Sequence, residues 1–474
     1  MATAKASTDV LHDRRARLLD DIGPKSVAVL RAQPDMNRIR MLMRFNPEHI
    51  ADAFKQEENF FYLTGIEVPN LYLVLNGARR EAVVFLPELG GLTVDTVYGP
   101  ASRREGVAET VERQLADEIR ASGLDTIQAA RDFVHYIYQT IEHDGVDTCW
   151  VLGPAATDIF IPDSYTGTTP PGLRDLRYPE EDLAESIRDR FPYLQIRNLS
   201  RPLLEQRAIK DEFELEQIRE SARVSALAYL EVMRFAQPGV YDRELSAVAW
   251  FTSRSLGGNR PAWLPIVESG ENILLRGAGQ YIGNYYDWKD RKIRDGDLVF
   301  MDWAMEVNYY YADMARTFPI SGTFTSEQRE AYDLYTLPFL RAKKEIRPGK
   351  TFRDLVQDYI AELKKEETKH PVLKRELARF IEELEPYNRM GHFLGHYVRD
   401  AGDYAEPLRP GQVLAYEPPA WVIPELNIMI QVEDCGAITD TGFEPFTEHI
   451  VPFDADAIEQ IMQERSKIER VLQV

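Results

Sequence analysis

Four acidic residues in the C-terminal half of the chain sit inside or at the ends of apolar runs, where an ionised carboxylate is costly. Asp302 follows Leu298-Val299-Phe300-Met301, and Asp313 precedes Met314-Ala315-Arg316-Thr317-Phe318. If these runs pair as a hairpin turning at Val307-Asn308, Asp302 and Asp313 stand directly opposite one another. Glu417 ends the run Val413–Tyr416, ahead of Pro418-Pro419, and Glu433 lies in IMIQVEDC. A turn centred on Glu425 sets Glu417 opposite Glu433. Directly opposed like charges destabilise a sheet unless something positive lies between them. Two hairpins that each juxtapose two acids therefore predict a cation site.

A nitrogen ligand is the remaining need. Of the eight histidines, GHFLGH at 391–396 supplies His392 and His396 in an apolar, glycine-flanked segment. Four hard carboxylates plus one imidazole suit two divalent ions such as Mn²⁺, with Co²⁺, Fe²⁺ or Zn²⁺ also feasible. Four negative charges balance two dications. Bridging carboxylates hold such ions ~3.5–4 Å apart and acidify a shared water to hydroxide near neutral pH. Cys435 lies two residues beyond Glu433 on the same strand face, and reads as a buried inert thiol rather than a ligand.

The elements that must carry these residues read as two domains, 1–200 and 201–474. In the first, Ser26–Leu30, Leu71–Leu75 and Ala82–Leu86 are apolar runs of strand length. Val107–Ser122 and Thr126–Gly145 read as helices, the latter with Ala129, Phe133, Ile137 and Ile141 at i+4 spacing. A mixed α/β domain follows. The pattern resets at Leu199–Asp211. Beyond it Leu215, Ile218, Ala222, Ala226, Tyr229 and Met233 form one helical stripe, stopped by Pro238-Gly239. A second helical pair, from about Ser326 to Glu367, brackets Pro348-Gly349, and the remainder reads as strands and turns.

Composition narrows the partners. The 474 residues are 44% apolar and 28% charged, which is globular and not disordered. A formal charge of −21 makes nucleic acid and anionic membrane surfaces poor partners. No run of 18 apolar residues is present, and the charged N-terminus has no apolar core of a secretory signal. Two cysteines in such a length read as reduced thiols, and the expected compartment is the cytoplasm.

The residue pattern then resembles a known family. RDGDLVFMDWAMEVNYYYADMARTFP (294–319), GHFLGHYVRDAG (391–402), LRPGQVLAYEPPAWV (408–422) and IQVEDCGAITDTGFEPFT (430–447) are similar to the pita-bread metallopeptidases, in the aminopeptidase P and prolidase branch. FKQEENFFYLTGIEVPNLYLVL (54–75) resembles the aminopeptidase P N-terminal domain. The resemblance implies an α/β N-terminal domain plus an α+β pita-bread catalytic domain of creatinase/aminopeptidase type. It also implies that Asp302 chelates one ion, that His392 and Glu417 bind the other, and that Asp313 and Glu433 bridge. The implied activity is hydrolysis of an amide, in Xaa-Pro peptides for that branch, by a metal-bridging hydroxide with Glu417 accepting its proton. A homodimer or homotetramer is implied as well.

The substrate-facing shell departs from the family. The branch carries three further active-site histidines, and here Asn388 and Arg399 occupy two of those places, with Asn284 or Tyr285 at the third. His396 stands as a candidate to swing into the gap. Trp303, Ala315 and Gln431 replace a small residue, Thr and Arg respectively. Arg399 cannot act as a general acid, but it can bind a carboxylate or developing oxyanion bidentately. The expectation is a hydrolase of short peptides or amides that handles ordinary Xaa-Pro peptides poorly. The alternatives are hydrolysis of a non-peptide C–N bond, dimetal redox chemistry, or a non-catalytic domain that binds peptides or proteins.

Overall fold

The computed structural model describes residues 6–33, 55–86, 117, 119–124, 126–153, 179–263, 265–278, 290–464, 466 and 468. The chain divides into two compact units between Gln206 and Arg207.

In the first unit a six-stranded sheet runs in the order β4-β3-β2-β1-β5-β6. Its strands are β1 (Ser26–Arg31), β2 (Tyr72–Asn76), β3 (Glu81–Leu86), β4 (Thr126–Ala129), β5 (Thr148–Val151) and β6 (Gln195–Asn198). The β1–β2–β3 pairs are antiparallel, whereas β4, β5 and β6 each join in parallel. Strict alternation feeds two cores. Ala28, Leu30, Leu73 and Leu75 pack with Leu18 and Leu19 of the helix Thr8–Ile22. Val27, Val29, Val74 and Val83 pack with Tyr136 and Ile137 on the other side. The helix expected over Thr126–Gly145 is corrected: Thr126–Ala129 is the strand β4, and the helix begins at Phe133. Thr126 and Ile127 are β-branched, and pairing with β3 outweighs a helical spacing that suits only the later residues. The helix expected over Val107–Ser122 lies mostly outside the described residues.

In the second unit the expected stripe is the helix Glu212–Phe235. Asp211 caps it reciprocally: its side chain accepts from the Glu214 amide at 3.0 Å, and Glu214 accepts from the Asp211 amide at 3.1 Å. Ten strands follow in chain order: β7 (Arg260–Pro261), β8 (Ile266–Ser269), β9 (Leu298–Asp302), β10 (Met305–Glu306), β11 (Ala315–Pro319), β12 (His392–Phe393), β13 (Val413–Tyr416), β14 (Trp421–Ile423), β15 (Ile428–Ile430) and β16 (Asp434–Ile438), with β17 (Phe443–Pro445) at one edge. They form sheets β11-β9-β8 and β12-β13-β16-β17, and the two-stranded pairs β10-β7 and β14-β15. The helical pair bracketing Pro348-Gly349 is Ser326–Lys343 and Phe352–Leu363. A third helix, Pro371–Leu384, stands where the sequence reads as strands and turns. Its buried Leu373, Leu377, Phe380 and Leu384 recur at helical spacing, with Pro371 at the first turn.

Candidate metal centre

The β9–β11 hairpin differs in register from the expectation. Ala315, not Asp313, stands opposite Asp302. The turn lies one residue later than Val307-Asn308, because Asn308 and Tyr309 both take left-handed backbone (φ 50° and 71°) as the central pair of a tight turn closed by Val307 and Tyr310. Moving the turn by one residue shifts the register by two, which keeps every side chain on its own face. Asp313 therefore lies just before β11, beyond the ladder. There the two chains are propped by Tyr229 from the helix Glu212–Phe235. Its hydroxyl donates to the Met314 carbonyl at 2.6 Å and accepts from the Trp303 amide at 3.0 Å. Sequence reading placed Tyr229 in the apolar stripe and missed this role; a phenol in such a stripe was the available signal.

In the second hairpin β13 and β16 pair in the expected register, whereas the β14–β15 tip is offset by one residue, with Trp421 opposite Ile430. Tyr416 stands opposite Asp434 as the last pair of the β13–β16 ladder, and Glu417 and Glu433 are the next residues beyond it. The two hairpins are then tied together. The Glu433 amide donates to the Ala315 carbonyl at 3.0 Å, so Ala315 has Asp302 on one side and Glu433 on the other. A threonine at 315 would add a hydroxyl at this crossing; alanine leaves only a methyl.

Asp313, His392 and Glu433 each offer a ligand atom within 4.8 Å of the others, and all three are buried. His392 Nε2 lies 3.2 Å from Asp313 Oδ2 and 3.4 Å from Glu417 Oε1. His392 Nδ1 is 3.3 Å from the Phe393 carbonyl oxygen, which can only accept. With Nδ1 donating to that carbonyl, Nε2 would be left facing the carboxylates as a metal ligand. Asp302 is also buried, at the end of β9, with its carbonyl accepting from Trp263 Nε1 at 3.3 Å. Glu417 is the more open of the acids, with 20% of its side chain exposed.

The donor set fits a divalent metal. Asp313 Oδ1 is buried with no hydrogen-bond partner among the described residues. Burial pushes the Asp313 carboxyl up, Glu417 adds to the shift, and His392 and Arg399 oppose it. A bound dication would supply what this buried carboxylate lacks.

Arg399 reaches the rim. Its Nη2 is 4.0 Å from Glu417 Oε1, and 47% of its side chain is exposed. Asn388 is exposed, and Asn284 and Tyr285 lie outside the described residues. His396 does not join the converging donors. It is fully buried, its ring packs 4.1 Å from that of Tyr310, and Nδ1 contacts the Tyr309 carbonyl at 3.1 Å. Cys435 is fully buried, and burial pushes its thiol well above the ordinary range, as for an inert thiol. Gln431 donates through Nε2 to the Pro418 carbonyl at 3.3 Å.

The model of metallopeptidase family M24 matches residues 216–440, and that of the aminopeptidase P N-terminal domain matches residues 11–91. The chain carries a metallopeptidase family M24 domain over the first of these spans. It is a metallopeptidase-type hydrolase with an aminopeptidase P-type N-terminal domain and a pita-bread catalytic domain. Among its relatives is the Xaa-Pro aminopeptidase of Escherichia coli (strain K12), 26% identical over 461 residues that cover 92% of this chain and 94% of the relative. The mitochondrial intermediate cleaving peptidase 55 of Arabidopsis thaliana is 28% identical over 444 residues, covering 92% of this chain and 79% of its own. Among solved structures, proline aminopeptidase P II from Yersinia pestis superposes with a TM-score of 0.69 at 25% identity, over 96% of this chain and 99% of that one. A candidate aminopeptidase P from Bacillus anthracis gives 0.76 at 24% identity, over 98% and 100%. No described helix is long and apolar enough to cross a membrane.

Proposed function

We propose that this protein is a two-metal peptidase of the aminopeptidase P branch that releases an N-terminal residue from short peptides. Asp302, Asp313, His392, Glu417 and Glu433 are the proposed ligands, and Mn²⁺ is the proposed ion. The convergence of Asp313, His392 and Glu433 carries this reading. A binding-only domain would have no use for several buried acids around one imidazole.

When bound, two divalent ions supply Lewis-acid polarisation of the scissile carbonyl and a water acidified enough to attack it near neutral pH. The protein's own residues do the rest. Asp313 and Glu433, both buried, would hold the ions. His392, with Nδ1 3.3 Å from the Phe393 carbonyl, would offer Nε2 to an ion. Glu417, with 20% of its side chain exposed, would take a proton from the attacking water and return it to the leaving nitrogen. Arg399, Asn388 and Tyr285 are assigned to substrate contact, because they occupy the positions where the family carries histidines. His396 is assigned to packing against Tyr310.

The two cysteines, both buried and unbridged, support a reducing compartment such as the cytoplasm. A homodimer or homotetramer is proposed on the family resemblance, and light scattering on the purified chain tests it. The function itself is tested by loading purified protein with Mn²⁺ and following a short-peptide library by mass spectrometry. Release of N-terminal residues, abolished by chelation and restored by metal, is the expected result. A folded protein with no affinity for Mn²⁺ would overturn the reading.

A further inference from the structure

The family places a histidine where this chain has Arg399, and the surroundings of that arginine define what it can do. Its neighbour Asp400 is already committed. Asp400 accepts from Arg207 at 2.5 Å and from Lys210 at 3.3 Å, with all three side chains 1% exposed. It also accepts from the His396 amide at 3.1 Å, while its own amide donates to the Phe393 carbonyl at 2.9 Å. Burial alone would raise the Asp400 carboxyl; Arg207 and Lys210 outweigh that and hold it below the usual range. Gly395 packs directly on this carboxylate, leaving no room for a Cβ. The loop from Phe393 to Asp400 is thus closed and clamped from inside, and Arg399 is presented from a fixed base.

From that base the guanidinium turns to the metal centre. Its contact there is Glu417 at 4.0 Å, and its field reaches Asp313. With two dications in place the four carboxylates of the cage are electrically balanced, and the hold of Glu417 on Arg399 weakens. A half-exposed, permanently charged fork beside the reacting centre then matches one ligand chemistry above others, a planar carboxylate taken bidentately.

We infer that Arg399 forms a carboxylate-binding subsite at the rim of the metal centre, and that the substrate is a short peptide carrying a carboxylate within one residue of the scissile bond. This rests on the peptidase reading and narrows it to a substrate class. The carboxylate is either the free C-terminus of a dipeptide or an acidic side chain after the cleaved bond.

The test uses the full chain loaded with Mn²⁺ and three probes: alanyl-alanine, alanyl-alaninamide and alanyl-glutamic acid α-amide. Binding is measured by calorimetry and hydrolysis by mass spectrometry. Alanyl-alanine should bind and turn over at least about tenfold better than its amide, a margin set by one charge-assisted contact. If the side-chain acid is what is read, the glutamyl amide takes that advantage instead. Arg399→Gln should level the three probes, and Arg399→Lys should keep part of the preference. Equal treatment of acids and amides by the wild type, a preference surviving in Arg399→Gln, or no binding of any probe would each overturn the subsite. Acid-selective binding that Arg399→Gln abolishes, with no hydrolysis of any probe, would keep the subsite and sink the peptidase reading.

Discussion

Arg316 Nη1 donates to the carbonyl oxygen of Glu433 at 2.5 Å, from a side chain that is fully buried. The same guanidinium donates to Ala315 O at 2.9 Å, Thr447 Oγ1 at 3.1 Å and Val451 O at 3.0 Å, and lies 3.6 Å over the Phe453 ring. It thereby fixes the backbone at the crossing of the two hairpins, where Asp302, Ala315 and Glu433 adjoin. Neither strand would need that cation to form its own ladder. Its place is behind the cage.

Arg316→Lys is therefore expected to fold with a lowered melting temperature and to bind Mn²⁺ about 10-fold or more weakly, the range typical of lost outer contacts to a metal site. Calorimetric titration checks it. Unchanged Mn²⁺ affinity in a folded variant would show that Arg316 serves packing alone. Arg316→Met removes every donor at once and leaves buried carbonyls without partners, so it should cost about 3 kcal/mol or more in stability.

Removing a proposed ligand should uncouple metal from stability. Asp313→Ala takes out the carboxylate at 3.2 Å from His392 Nε2. In the wild type, Mn²⁺ at a hundred times its dissociation constant should stabilise the fold by about 2.7 kcal/mol, read as a rise in melting temperature. In Asp313→Ala that rise should shrink sharply, together with peptidase activity. A variant that still binds two ions per chain would exclude Asp313 from a bridging role.

Part of this site was legible in the residue order, and part was hidden by backbone conformation. The turn that brings Glu417 and Glu433 to the end of the β13–β16 ladder carries its own signals, Pro424 at its start and Asn427 in the left-handed region. The Asp302 hairpin was misread by one residue because its turn is Asn308-Tyr309, and an aromatic with positive φ (71°) is not a recognisable turn residue. The helix Pro371–Leu384 was missed although its apolar positions are regular, since its charged face dominates the composition. The supports of the site, Tyr229, Arg316 and the Arg207–Lys210–Asp400 clamp, join residues far apart in sequence. No local pattern announces them, and only the fold brings them together.

Asp242 supplies a pH-dependent term away from the metal centre. It is fully buried at the start of the helix Asp242–Ser255, and burial pushes its carboxyl up to about 7, with Asp290 and Glu268 adding and Ser269 and Arg291 opposing. A carboxyl whose folded value lies above its unfolded one binds its proton more tightly when folded. Its contribution is complete below about pH 4 and is lost as pH rises through about 7, by up to about 4 kcal/mol for a shift of three pKa units. Asp242→Asn, neutral at every pH, should flatten the fall in stability between pH 4 and 7 and be the more stable protein at pH 8. Parallel denaturation curves for the two proteins across that range would refute the shift.

The rebuilt shell predicts its own reversal. An imidazole can donate to or accept from a peptide and titrates near neutrality, whereas Arg399 only donates and keeps its charge. Losing one donor to a developing oxyanion typically costs ~10²–10³ in rate. C-terminally amidated Xaa-Pro peptides, which offer Arg399 no carboxylate, should therefore be cleaved slowly by the wild type. Arg399→His is expected to raise kcat/KM on them by about tenfold or more, and Asn388→His, on a position that is exposed and easily altered, to add to it. Both substitutions leave the Arg207–Asp400 clamp and His392 untouched, so metal content should stay constant while the preference for acidic probes falls. A wild type that already cleaves neutral Xaa-Pro peptides efficiently, with no gain from Arg399→His, would mean that the arginine does the work of the family's imidazole and that the substrate class is unchanged.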